Sequence, residues 1–196
     1  MKRSIHKVLE RDFYARPTVQ VARDLLGKVI EHEGRFGRIV ETEAYLGVGD
    51  GAAHTARGIT PRTRIIFGHP GHAYIYFVYG MHYCLNFVAE EEGTAGCVLI
   101  RAVEPVRGLL GPGDGPAKLT RALGITLEQN GCDLTRGPIF VLKSNENGEA
   151  LNIATSPRIG ITKSVELPLR FFLAGNPYVS RPKLFSLEPP GHRPDG

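Results

Sequence analysis

The sequence predicts an α+β fold: one curved antiparallel sheet, short helices around it, and a β-hairpin protruding from it. Three observations predict this. Runs with a two-residue apolar alternation outnumber runs with helical periodicity. The regular strand–helix–strand alternation that builds a parallel sheet is missing. Finally, 24 Gly and 14 Pro divide the chain into short elements. At 196 residues the chain can bury a full core unaided and reads as a single domain spanning residues 1–196.

The elements follow in order. Residues 1–10 are expected to fray. Pro17 before Thr18 and Gly27 after Leu26 bracket a first helix. Lys28 to Glu33 and Arg35 to Tyr45 read as a hairpin turning at Gly34. Thr60-Pro61 has the form of an N-cap followed by Pro at the first helical position, predicting a short helix through Ile66. Tyr74 to Tyr79 and His82 to Val88 form a second hairpin around Gly80, and Cys97 to Val103 is a further strand. Gly115-Pro116 opens a helix that ends near Gly124. Short strands are expected at Ile139 to Lys143, Arg158 to Ile161 and Leu169 to Leu173, and a frayed tail over 188–196.

Composition bounds the function. The formal net charge of +4 leans only mildly towards an anionic partner, but its distribution is informative. From Arg57 to Val88 there are three Arg and three His with no Asp or Glu, whereas acids cluster elsewhere, as at Glu90-Glu91-Glu92. Three cysteines without a CxxC spacing argue against a disulfide framework or a thiolate zinc site and for a reducing compartment. No apolar run approaches the roughly 20 residues that span a bilayer. His69-Pro-Gly-His72 lacks metal-ligand spacing, and Gly111 to Lys118 resembles a phosphate loop without its Gly-Lys-[Ser/Thr] ending. The helix N-terminus there, with Lys118, can still hold a phosphate.

Two constellations carry chemistry. In a regular strand Glu41, Glu43 and Tyr45 share one face. The spacing leaves two readings open: the glutamates are solvated or paired with arginines, or one is a general base held on a sheet floor. Tyr74, Tyr76 and Val78 line one face of the second hairpin. They are either core aromatics or a stacking platform for bases, whereas Tyr79, directly before Gly80 at the tip, suits a wedge.

These residues carry a resemblance. Gly37-Arg-Ile-Val-Glu-Thr-Glu-Ala-Tyr-Leu-Gly47, Ala52-Ala-His54, Tyr74-Ile-Tyr76, Tyr79-Gly-Met81, Cys84-Leu-Asn86, Val98-Leu-Ile-Arg101-Ala, Gly115-Pro-Ala-Lys-Leu119 and Pro168-Leu-Arg-Phe171 stand in the order and near the spacing of one family. The chain closely resembles the alkyladenine (3-methyladenine) DNA glycosylases, monofunctional enzymes that excise damaged purines, from about Thr18 to Ser180. The resemblance implies that Glu43 activates the attacking water, that Arg101 helps hold it, and that the Ile159 carbonyl completes its shell beside Gly160, whose backbone approaches DNA. Tyr45 and His54 would form one wall of the base pocket and Tyr76 the other. The His54 main-chain N–H would meet the base edge, and Asn86 would crowd the 2-amino group of guanine. Tyr79 would fill the vacated stack, with Gly80, Met81, His82, Lys118 and Arg57 on the DNA. Arg57 lies in a loop slightly shorter than in the animal members, and His82 stands where an aromatic is usual.

The resemblance implies a cytoplasmic monomer, nucleoid-associated if bacterial, acting without cofactor or metal on double-stranded DNA that contains a damaged purine. Two rivals remain. A non-catalytic nucleic-acid-binding module explains the basic aromatic face but leaves Glu43 without a role. A hydrolase of free nucleosides has no use for Tyr79.

Overall fold

The structure, a computed structural model, describes residues 7–78, 80–143 and 151–180. Its elements are α1 (Arg11–Tyr14), α2 (Thr18–Asp24), β1 (Val29–His32), β2 (Arg35–Tyr45), β3 (Ala73–Val78), β4 (His82–Val88), β5 (Cys97–Arg107), α3 (Pro116–Leu123), β6 (Ile139–Leu142), β7 (Ile153–Ser156) and β8 (Arg170–Leu173). Two 3₁₀ turns, Arg64–Phe67 and Leu127–Gln129, lie between them. The strands pair antiparallel in the order β3-β4-β5-β2-β1-β6, and β8 pairs with both β2 and β7. The fold is α+β on a curved antiparallel sheet, as the sequence predicts.

The long strand β2 organises the sheet. One edge pairs with β5 throughout, while the other is shared, Arg35–Arg38 with β1 and Glu41–Glu43 with β8. Between these halves the β2–β5 register slips around Ile39, Glu41 and Thr42, and such bulges bend a strand and re-aim its side chains. The β1–β2 turn places Glu33 (φ 50°) and Gly34 (φ 78°) in the left-handed region, the requirement of a tight two-residue hairpin.

Directly paired residues in an antiparallel sheet lie on the same face. Ala73, Ile75, Leu85, Phe87, Val98, Ile100 and Ala44 all enter the main core, which α2 and α3 cover with Val21, Ala22, Leu25, Leu119 and Leu123. The alternate residues face the other way. Tyr74 pairs with Asn86, Asn86 with Leu99, Leu99 with Glu43 and Glu43 with Arg170, a continuous row across five strands. A smaller apolar cluster of Ile66, Tyr74, Val88, Ala95 and Cys97, with Tyr45 and Tyr76 packed on it, supports this second face.

Four expectations need correction. Residues 61–66 are a turn followed by 3₁₀ rather than an α-helix, because the Thr60 and Thr63 hydroxyls bond each other at 2.9 Å and the nearby backbone, competing with the helical ladder. Arg158–Ile161 is not a strand. The strand is Ile153–Ser156, and Pro157, without an N–H, ends it. β5 continues past Val103 to Arg107. Residues 7–10 are anchored rather than frayed: Leu9 is buried and its N–H donates to the Val141 carbonyl at 2.8 Å. The rest of the expected fraying, at 1–6 and 188–196, lies outside the described residues, as does Tyr79. Among the described residues no helix is long and apolar enough to cross a membrane. The cysteines are free.

Candidate active site

The row from Tyr74 to Arg170 contains one carboxylate, Glu43. Glu43 is fully buried, and three groups hold it. The Ile159 N–H donates to Oε1 at 2.8 Å, the Tyr45 hydroxyl donates to Oε2 at 2.9 Å, and Arg101 Nη1 lies 3.2 Å from Oε1. Burial pushes this carboxyl above its usual range, against the pull of Arg101, the Ile159 N–H and the Tyr45 hydroxyl. Sequence reasoning placed Ile159 here through its carbonyl, whereas the contact observed is through its N–H. Gly160, at φ 76° with open space where a Cβ would stand, leaves the backbone beside it accessible.

Glu41, also fully buried, is held by more donors than Glu43. Its Oε1 accepts from Arg101 Nε at 2.9 Å, Arg170 Nε at 2.6 Å and the Ser180 hydroxyl at 2.8 Å, and its Oε2 accepts from the Ser180 N–H at 2.6 Å. Four donors reach Glu41 and three reach Glu43, and the Oε2 of each takes a single one. Neither glutamate is solvated, and each is paired with arginine.

A second buried pair frames the site. Arg158 grips Asp50 through two bonds of 2.5 and 2.7 Å and donates to the Ala44 carbonyl at 3.0 Å. Its guanidinium lies 4.6 Å from the centroid of the Tyr45 ring, and it immediately precedes Ile159. One arginine thus contacts the Tyr45 ring and anchors the main chain that touches Glu43. Burial opposes ionisation of Asp50, yet the Arg158 bonds with the Leu46 and Ala52 N–H groups hold its carboxyl below the usual range.

The aromatic groups lie along the same face. His54 Nδ1 is 3.0 Å from the Tyr74 hydroxyl, and the His54 ring leans edge-on against Tyr76 with centroids 4.6 Å apart. Arg62 bonds the Tyr74 hydroxyl at 3.1 Å and sits 5.1 Å from the Tyr76 ring centroid. Burial and then Arg62 hold the His54 imidazole below its usual value, which favours the neutral ring. Tyr74 is a core aromatic, while Tyr76 is half-buried. Asn86 is buried in the Glu43 row, and its amide donates to the Tyr74 carbonyl at 3.1 Å. Burial also pushes the Cys84 thiol up, against the pull of Tyr76 and Arg101, and Cys84 pairs with Tyr76 across β3 and β4.

The structure brings Glu43, Arg101, Tyr45 and Ile159 into direct contact, and His54 with Tyr76. It does not join the polar DNA candidates to them. Lys118 gives its ammonium to Asp114 at 3.0 and 3.1 Å. Arg57 is exposed without a side-chain partner among the described residues. Gly80 (φ 68°) and the exposed Met81 lie at the β3–β4 tip, with His82 paired to Val78 at its base. Among the described residues no group of three or more His, Cys, Asp or Glu could hold a metal ion. Sequence reasoning gave no role to Arg158, Asp50, Arg170, Ser180 or Arg62. The usable signals were Arg170 inside the quoted Pro168–Phe171 segment and Arg158 next to Ile159.

A buried, arginine-held carboxylate thus stands on a sheet face that also carries Tyr74, Tyr76 and the His54 ring, an arrangement of the kind found in enzyme active sites. The particular family follows from comparison. A family model described as methylpurine-DNA glycosylase matches residues 12–177. Proteins carrying the name "Putative 3-methyladenine DNA glycosylase" are similar throughout. That of Methanoculleus marisnigri is 50% identical over 187 residues, covering 86% of this chain and 96% of the relative. That of Chlorobaculum parvum is 49% identical over 195 residues, covering 91% and 93%. That of Carboxydothermus hydrogenoformans is 47% identical over 190 residues, covering 89% and 99%. The chain belongs to the methylpurine-DNA glycosylase family.

Proposed function

We propose that the chain, acting as one glycosylase domain and as a monomer, removes alkylated and deaminated purines from duplex DNA by hydrolysis and leaves an abasic site. The observation that carries this reading is Glu43: a buried carboxylate, raised in pKa, held on three sides and set in one sheet row with Asn86 and Tyr74. Its family membership supplies the substrate class.

A base stacked in a duplex is out of reach, so the damaged nucleotide is flipped out, at a cost of a few kcal/mol that damage reduces. Tyr79 offsets part of that cost by occupying the gap in the stack. The base enters beside Tyr45 and Tyr76. Because His54 leans on Tyr76 with centroids 4.6 Å apart, a purine that stacks between those two requires the imidazole to swing away. As the bond between C1′ and the purine nitrogen breaks, its electron pair leaves with the base and C1′ gains oxocarbenium character. Glu43 takes a proton from the attacking water while its charge stabilises C1′. A cationic alkylpurine departs readily, and stacking on electron-rich rings favours it. The enzyme works where the DNA is, in the cytoplasm and with the nucleoid in a bacterium.

Base release from a duplex containing 7-methylguanine, and from the free nucleoside, tests this reading. The expected result is release from the duplex alone, with the strand intact until alkali and no adduct trapped by borohydride. Release from the nucleoside at an equal rate, or a trapped adduct, would overturn it.

A further inference from the structure

We propose that Glu41 is a positioning residue for the hydrolysis: it divides the grip of Arg101 so that Glu43 stays basic enough to accept a proton from water. The inference rests on the reading of Glu43 as the general base. An arginine bound to a single carboxylate lowers that group's pKa by about 1–3 units, which makes a poor base at neutral pH. Arg101 is shared instead. Its Nε goes to Glu41 at 2.9 Å, its Nη1 lies 3.2 Å from Glu43, and its Nη2 donates to the Ser180 hydroxyl at 3.3 Å. The shorter contact is with Glu41, so the residue that is not the base takes the larger share of the guanidinium.

The charges around Glu43 balance only with Glu41 in place. Arg101 faces it from β5, Arg170 from β8, and Glu41 and Tyr45 from β2 itself. Cys84 on β4 pairs with Tyr76 on β3, and Arg158 approaches from the segment after β7 with its charge matched by Asp50. Two carboxylates then face two guanidinium groups, Arg101 and Arg170. Glu41 raises the proton affinity of Glu43 through its negative charge. Neutralising it leaves a surplus positive charge beside the base.

Ser180 completes the device. After β8 the chain returns so that the Ser180 N–H and hydroxyl both donate to Glu41, and Arg170 Nη2 reaches the Ser180 carbonyl at 3.3 Å. This latch fixes the Glu41 carboxylate in the plane from which it holds both arginines.

The experiment is the pH dependence of single-turnover release of 7-methylguanine from a duplex. The cationic base needs no proton donor, so the acid limb reports the general base. Wild type, Glu41→Gln, Glu41→Asp, Ser180→Ala and Glu43→Gln are compared, with lesion-duplex affinity and thermal midpoint measured alongside. Glu41→Gln is expected to move the acid limb down by at least about half a unit and lower the plateau at least about tenfold. Glu41→Asp, which keeps the charge and shortens the reach, is expected to lower the plateau with the limb in its wild-type position. An unmoved limb in folded Glu41→Gln would overturn the proposal.

If Glu41→Gln does not fold, Ser180→Ala decides, because it removes one hydroxyl and no charge. The expected result is a plateau about tenfold lower at unchanged lesion affinity, and a wild-type plateau overturns the proposal. Activity in Glu43→Gln would sink the general-base reading and the proposal with it. An inactive Glu43→Gln beside an unshifted Glu41→Gln would sink the proposal alone.

Discussion

The carboxylate floor on β2 and the tip of the β3–β4 hairpin are built on opposite principles. At the floor Glu41, Glu43, Arg101, Arg158, Arg170 and Ser180 are all buried, and each side chain has a polar partner distant in sequence. At the tip Phe77 is 47% and Met81 68% exposed, and Gly80 turns the chain in the left-handed region with open space around it. Preorganised charge needs a dry and rigid surround, because an unpaired buried charge is costly and a loosely held one stabilises no transition state. A surface that must enter a duplex needs apolar reach and freedom to adapt. Under the proposed function the contrast is a division of labour, in which the floor would do the chemistry and the tip would handle the polymer.

Substitutions that hit one region and spare the other test that division. The largest effect on stability is expected for Arg158→Ala, which strands the buried Asp50 carboxylate; loss of about 3–5 kcal/mol should appear in urea unfolding. Met81→Ala at the tip should change stability by no more than about 0.5 kcal/mol. Comparable losses for the two would erase the contrast.

Next in size is Tyr79→Ala, expected to weaken lesion-duplex binding by about 1–3 kcal/mol, with loss of the unstacking signal from a 2-aminopurine beside the lesion. An unchanged flipping signal would remove the wedge from the account.

Asn86→Ser should raise excision of 7-methylguanine relative to hypoxanthine by a factor worth about 1–3 kcal/mol at most, read as a ratio of single-turnover rates. An unchanged ratio would move discrimination to another group, such as the His54 main-chain N–H.

The smallest effect is a linkage between pH and stability. Burial raises the Glu43 carboxyl in the folded protein, so its contribution to stability is full below the unfolded pKa and is lost as pH rises through the folded one. Glu43→Gln removes that pH-dependent loss. The variant is expected to gain stability relative to wild type as pH rises from acid to neutral, in paired urea titrations. A difference that stays constant with pH would contradict the sign of the shift.

What the sequence made legible was local or repeated in pattern. Gly27 and Pro17 bracketed α2, Gly34 set the first hairpin, and Gly115-Pro116 with Gly124 framed α3, because each is a short-range backbone rule. Glu43, Arg101 and Ile159 were found together because motif resemblance preserves long-range relations that spacing cannot encode. The remainder depended on tertiary pairing. That Arg158 would reach Asp50, or Ser180 reach Glu41, follows from register across β2, β7 and β8 and from a bulge near Glu41, none of which has a local signature. The strand alternation treats Glu41 and Glu43 alike, and they differ only in the partners that tertiary pairing gives them.

The most direct test of the account is Glu43→Gln measured twice on one preparation, for single-turnover excision of 7-methylguanine and for affinity to the same lesion duplex. Loss of a general base is expected to lower the rate by about 10²–10⁴-fold or more, while binding, which the proposal assigns to the tip and the aromatic face, stays within a few-fold. Excision near the wild-type rate would contradict the assignment of Glu43 and with it the claim that the floor does the chemistry.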